Sequence, residues 1–175
     1  MRDKFLPEYP PWSQSKTWFE AGDTLKMLCQ KNHRALARAR FWSYVIQDGI
    51  LATKNLLDRL CAVTCLRCVE PCCHRARIWA DFSDLVFWRL GGVLPPSGQL
   101  FFDKHQGCVY LGETGCVLER AARPWVCTWY LCPEQKKLLR SLGPGWVYTW
   151  EDSVKRIKTA RQRMVEDFIE VCGRV

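Results

Sequence analysis

Nine of the eleven cysteines in this chain fall between positions 61 and 132, in two groups: Cys61, Cys65, Cys68, Cys72 and Cys73, then Cys108, Cys116, Cys127 and Cys132. Thiols gathered this way among glycines and prolines have to be cystines, core or ligands. At 175 residues the chain is long enough to bury about 70% of its unfolded surface, so its core needs no covalent staples. Secreted disulfide scaffolds are as a rule shorter, with even cysteine counts and a signal peptide. The N-terminal MRDKFLPEYPPW has charges of both signs and three prolines where a secretion signal has an apolar run. No uncharged apolar stretch of about 18 residues occurs that would span a membrane. The expected compartment is therefore the reducing cytoplasm, where clustered cysteines serve as metal ligands or catalytic thiols.

The composition, 48% hydrophobic and 25% charged, is that of a globular protein. The expectation is one domain over residues 1–175, mainly α, with a helical scaffold around a loop-rich cysteine core and a small β-hairpin. Residues 1–22, rich in proline and aromatics, read as an irregular arm. Over 23–60 the pattern is helical, with Leu36, Ala39, Trp42, Ile46, Ile50, Thr53, Leu57 and Leu60 recurring at three- and four-residue steps. Asp48-Gly49 marks a kink or a break there. Asp81 with Asp84 three residues on reads as an N-cap, and Gly91-Gly92 as the stop. LFFD and CVYL, separated by Asp103 to Gly107, predict a hairpin, with His105 in its turn. Pro124 suits the first turn of a short helix carrying Cys127. Over 150–173, Val154, Ile157, Ala160, Met164, Val165, Phe168, Ile169 and Cys172 mark an amphipathic helix, with Lys155, Arg156, Lys158, Arg161 and Arg163 mostly elsewhere on its surface.

The core explanation suits Cys29 and Cys172, which stand apart on apolar helical faces. It does not suit the thiols of the 61–133 cysteine segment, which lie in loops. Chelation needs thiolates at about 2.3 Å from an ion, and short loops such as CxxC bring two ligands to one centre without strain. Cys65 and Cys68 have that spacing. The vicinal pair Cys72-Cys73 is restrictive, because adjacent side chains point to opposite faces of a strand, or about 100° apart on a helix. Either one is a bystander or the two serve different metal atoms. An Fe–S cluster, or two neighbouring mononuclear sites, meets that condition better than one tetrahedral zinc. All-thiolate coordination suits both metals.

The ordered set CLRCVEPCC (65–73), Asp84-Leu85, Gly107-Cys108, Leu111, Gly115-Cys116, Arg123-Pro124, Cys127 and Cys132 resembles the YkgJ-type cysteine-cluster family of zinc- or iron-chelating proteins. The likeness covers roughly positions 65–133. It implies a metal-chelating module with ligands drawn from Cys65, Cys68, Cys72, Cys73, Cys108, Cys116, Cys127 and Cys132. Two features depart from the family pattern: three residues, Val69 to Pro71, precede the vicinal pair where two are usual, and Thr128 follows Cys127 where Arg is frequent. Cys61 lies outside the motif and reads either as an extra ligand or as a core thiol.

Arg123 is the candidate cofactor-binding residue, offsetting the negative charge of a cluster; the alternative is a salt bridge with Asp81, Asp84 or Glu119. His74, after the vicinal pair, reads as a loop residue ahead of a ligand. The run KNHRALARAR holds Lys31, Arg34, Arg38 and Arg40 without an acid, and such a face can neutralise phosphates. A solvated face is the plainer reading, and nucleic acid is not the favoured partner despite a net charge of +8, because a four-thiolate site on a dipositive core adds about −2.

Three functional classes follow. The leading one is a metal-binding protein, holding an Fe–S cluster in preference to zinc, with a redox or metal-handling role and an unidentified protein or redox partner. The second is a modifying enzyme, because a similar cluster occurs in flagellin lysine N-methylases, although no glycine-rich nucleotide fingerprint is present here. The third is a zinc-stapled nucleic-acid or protein adaptor.

Overall fold

The computed structural model describes residues 12–75, 78–100, 107–113 and 115–173, with Arg67, His74 and Arg75 described in backbone alone. The protein is mainly helical with one small antiparallel hairpin, as the patterning predicts. Helices α1 (Ser15–Lys31) and α2 (Ala37–Thr64) come first, followed by a 3₁₀ turn at Cys65–Arg67, α3 (Cys72–Arg75) and α4 (Phe82–Leu90). Strands β1 (Leu111–Gly112) and β2 (Gly115–Cys116) precede a 3₁₀ turn at Arg120–Ala122, then α5 (Trp125–Trp129), α6 (Pro133–Ser141) and α7 (Pro144–Cys172).

The stripe read along α2 is the buried one: seven of its eight positions are buried and Trp42 is partly so. No break occurs at Asp48-Gly49, and α2 runs unbroken to Thr64. Gly49 serves close packing instead. A Cβ there would stand 2.6 Å from Ile157 Cγ1 on α7, so only glycine lets the two long helices approach. Gly49→Val is expected to cost about 2 kcal/mol through overpacking, read as a lower urea midpoint with an unchanged slope. A cost near zero would mean that the α2–α7 contact relaxes freely.

Two clusters form the core. One joins α1, α2, α4 and α7 through Trp18, Leu25, Leu36, Ile46, Ile50, Phe87, Trp88, Met164 and Phe168. The other closes the far end of α2 with Leu56, Leu57, Leu60, Leu131, Leu139 and Trp150. The cysteine region hangs beside this second cluster.

Four expectations need correction. Residues 15–22 are not an irregular arm but the first turns of α1, because Trp18 and Leu25 lie on one helical face and Trp18 Nε1 donates to Pro96 O at 3.3 Å. Residues 1–11 lie outside the described residues, as do 101–106, which hold most of LFFD, His105 and the predicted turn. The CVYL segment is a turn leading into β1, and the observed hairpin pairs Leu111 with Cys116 and Gly112 with Gly115. The C-terminal helix starts at Pro144, six residues before the predicted boundary at 150, with Pro144 in its first turn and Gly143 at φ 109° ahead of it. On that helix Arg161 is buried and Ile169 is exposed, the reverse of their expected placement.

Arg161 is buried because it has partners. Its guanidinium binds Asp84 Oδ1 at 2.8 Å and Asp81 Oδ1 at 3.0 Å, and lies 5.8 Å from the Trp125 ring centre. Asp81 and Asp84 form the predicted capping box on α4. Asp84 Oδ1 also accepts the Trp125 N–H at 2.9 Å. One carboxylate thus ties α4 and α7 to the start of α5, the helix that carries Cys127.

Candidate metal centre

All eleven cysteines are free thiols. Cys29 is buried in the main core, as expected, and burial pushes its thiol up to about 11. Cys172 packs partly against the same core and accepts from Asn32 Nδ2 at 3.8 Å.

Of the remaining nine, eight are linked to one another directly or through Gln135 beyond the far end of α2, and Cys68 is exposed. Helix α2 continues past Cys61 to Thr64, so Cys61 and Cys65, four residues apart, share one face. Both sulfurs lie 3.6 Å from Nε2 of the buried Gln135. Gln135 is also the N3 residue of a capping box on α6: its N–H reaches Cys132 Sγ at 3.4 Å, and its Oε1 accepts the Cys132 N–H at 3.2 Å. Three thiols from two segments therefore meet one buried residue, Cys61 and Cys65 at its side-chain amide and Cys132 at its backbone N–H. The Cys65 thiol donates to Cys61 and draws it down to about 6 against the effect of burial, with Arg120 adding to the pull. Cys65 is pushed up in turn by Cys61 and by burial, and Cys72 adds to the rise.

A second gathering centres on Cys73. Cys72 and burial push its thiol up, and Cys108 and Cys127 add to the effect. The Cys108 N–H donates to Cys73 O at 2.8 Å, fixing the two segments together. Burial pushes Cys127 up to about 12, with Cys116 and Cys108 contributing. Burial likewise raises Cys108, with Cys116 and Cys72 adding to it. The two Gly-Cys pairs of the motif have a backbone reason: Gly107 at φ 65° and Gly115 at φ 117° adopt a left-handed conformation that side chains disfavour. Each turns the chain so that the next residue, Cys108 or Cys116, joins this group.

Among the described ion pairs Arg123 makes none of the three expected salt bridges, Asp81 and Asp84 being paired with Arg161 instead. Its Nε donates to Leu118 O at 2.9 Å and its Nη2 to Cys116 O at 3.2 Å, bracing the hairpin. Its charge also lowers both Cys61 and Cys127, so it lies within electrostatic reach of both gatherings. Cys68 and Cys72 are exposed. The His74 side chain lies outside what is described.

The donor set fits a thiophilic metal. It is all sulfur, set at loops and helix ends, with N–H donors on the sulfurs and guanidinium charge nearby, as thiolate centres require. The two buried side-chain polar atoms found without a hydrogen-bond partner among the described residues, Arg120 Nε and Thr128 Oγ1, flank this same region. The sulfurs are not closed on a point: among the described residues no three Cys, His, Asp or Glu side chains converge as a chelating group.

Sequence reading missed Gln135 and Arg120. The i, i+4 spacing of Cys61 and Cys65 at a helix end was the available sign for the first group; nothing local marks Arg120, which pairs with Asp58 across 62 positions. The basic run 31–40 is partly neutralised within the fold, since Arg38 binds Asp167 through both Nε and Nη2. Among the described residues no helix is long and apolar enough to cross a membrane. No protein-family model matches this chain, and no curated protein or solved structure matches it.

Proposed function

We propose that this protein binds a thiophilic metal through its clustered cysteines, as an Fe–S cluster in preference to zinc, and serves in electron transfer or metal handling. The observation that supports this reading most directly is the gathering of eight thiols, Cys61, Cys65, Cys72, Cys73, Cys108, Cys116, Cys127 and Cys132, from short elements and helix ends. A core has no use for so many thiols that are only partly buried. The ligands are drawn from Cys65, Cys68, Cys72, Cys73, Cys108, Cys116, Cys127 and Cys132, with Cys61 adjoining them. When bound, the metal supplies redox chemistry as a cluster or a structural staple as zinc. The chain itself supplies thiolates, and Arg123 and Arg120 offset their charge. The resemblance of the cysteine spacing to the YkgJ-type family agrees with this reading.

The test is anaerobic purification with an absorption spectrum and analysis of iron, zinc and acid-labile sulfide. Brown protein holding iron and sulfide is the expected result; colourless protein holding zinc would retain the centre and reject the cluster. Cys127→Ser is expected to lose metal, whereas Cys29→Ser keeps it. A folded chain that takes up neither metal would overturn the function.

A further inference from the structure

The excess of positive charge lies on a different face from the basic run 31–40, where Arg38 is held by Asp167. Between Asp152 and Glu166 the chain carries five Lys and Arg residues and no acid, and of the five only Arg161 is buried. Arg156 lies 4.0 Å from Asp152. Tyr148, Glu151, Lys155, Lys158 and Gln162 recur at three- and four-residue steps along α7 and are all exposed, so they form one face of the helix. Glu151 is the one acid on it. From Tyr148 to Lys158 that face runs about 15 Å. Helix α6 adds Lys136, Lys137 and Arg140, also exposed. Among the described residues none of these three, nor Lys155 or Lys158, is in an ion pair.

Arg140 and Tyr148 meet at a groove between the end of α6 and the start of α7, about 400 Å³ in volume and lined besides by Pro144, Val147 and Glu151. Tyr148 is 72% exposed. An aromatic ring left in solvent beside a guanidinium is a platform for a planar base, and the cations beyond it suit a chain of phosphates. The large apolar side chains exposed on α6, and on α7 as far as Arg163, are both aromatic, Trp146 and Tyr148. Among the described residues no exposed aliphatic side chain accompanies them there, whereas a helix that lies on a membrane inserts an apolar face.

We propose that the α6–α7 face binds single-stranded nucleic acid, with Arg140, Lys155 and Lys158 on the phosphates and Tyr148 stacked on a base. Lys136 and Lys137 extend the phosphate track along α6. Contacts of this kind position a strand without reading its sequence. The proposal stands whether or not the thiols hold metal.

The test is fluorescence anisotropy of labelled oligo(U) and oligo(dT) strands of about 15 nucleotides, titrated with the full chain under reducing conditions. Binding of both is expected to weaken between about 50 and 200 mM salt, and Lys155→Ala and Lys158→Ala each to make the log–log slope shallower by about 0.7. Tyr148→Ala, which removes no charge, is expected to weaken binding of both strands about fivefold or more. It should leave binding of heparin, a polyanion without bases, unchanged. Arg34→Ala, in the 31–40 run, is expected to keep the slope of the unaltered chain. No binding at about 50 mM salt, a slope changed as much by Arg34→Ala as by Lys155→Ala, or binding that Tyr148→Ala leaves intact would overturn the proposal. Sedimentation with phosphatidylserine vesicles that excess oligonucleotide fails to compete would assign the face to a membrane instead.

Discussion

Asp84→Ala is expected to destabilise the fold by about 3–5 kcal/mol, the range for breaking a buried ion pair from one side. The reason lies in what the substitution leaves behind. Arg161 is buried, and without Asp84 its only carboxylate among the described contacts is Asp81, which sits at the exposed end of the box. The Trp125 N–H also loses its acceptor. The pair is not itself a large source of stability, since burial pushes Asp84 up to about 6 against the pull of Arg161. The cost therefore comes from the orphaned guanidinium, and replacing both partners by apolar residues should recover much of it. Urea unfolding of Asp84→Ala, Arg161→Met and the double variant checks this. The double variant is expected to be more stable than the sum of the single effects predicts, with a coupling above about 1 kcal/mol. Additive losses would show that the two side chains act separately. Because Trp125 opens α5, Asp84→Ala should also loosen Cys127 and lower metal retention.

That ion pair also marks where local reading of the sequence stops. The α2 stripe and the Asp81–Asp84 box were legible because helical periodicity and capping are set by neighbours within a turn. Arg161 read as a surface charge because its partners are 80 and 77 positions away, and no local period reports them. The first turns of α1 were hidden by proline and aromatic composition upstream, although Trp18 shares the buried face of Leu25 and Cys29. At Gly49, read as a kink or a break, the helix is not broken: a glycine inside a helix weakens it locally, yet here the missing side chain makes room for Ile157. In the cysteine region, spacing identified the residue types that gather but not the side chains that meet them. Gln135 reaches the sulfurs of Cys61 and Cys65, and Arg120 acts on Cys61, from other parts of the chain. Those two residues have no motif of their own.

The pH dependence separates a metal-loaded chain from a stripped one by the sign of its slope. In the stripped chain Cys127 sits at about 12, raised by burial, and Cys73 and Cys108 are also held above the ordinary thiol range. A group whose folded pKa is raised contributes its full stability below the unfolded value, near 9.0 for these thiols, and loses it as pH rises toward the folded value. These three thiols therefore weaken the stripped protein from about pH 9 upward. The loaded chain behaves in the opposite sense. Under the proposed metal binding each ligand thiol gives up a proton, so apparent metal affinity falls steeply with acidification below neutrality. Metal release is then expected to be steep between roughly pH 7 and pH 5, and to carry much of the stability of the cysteine region with it. Helices α1, α2 and α7, with their own apolar core, should keep their far-UV signal through that release while amides between positions 61 and 133 begin to exchange. Stripped and loaded samples that lose stability in parallel across both pH ranges would show that these thiols hold no metal.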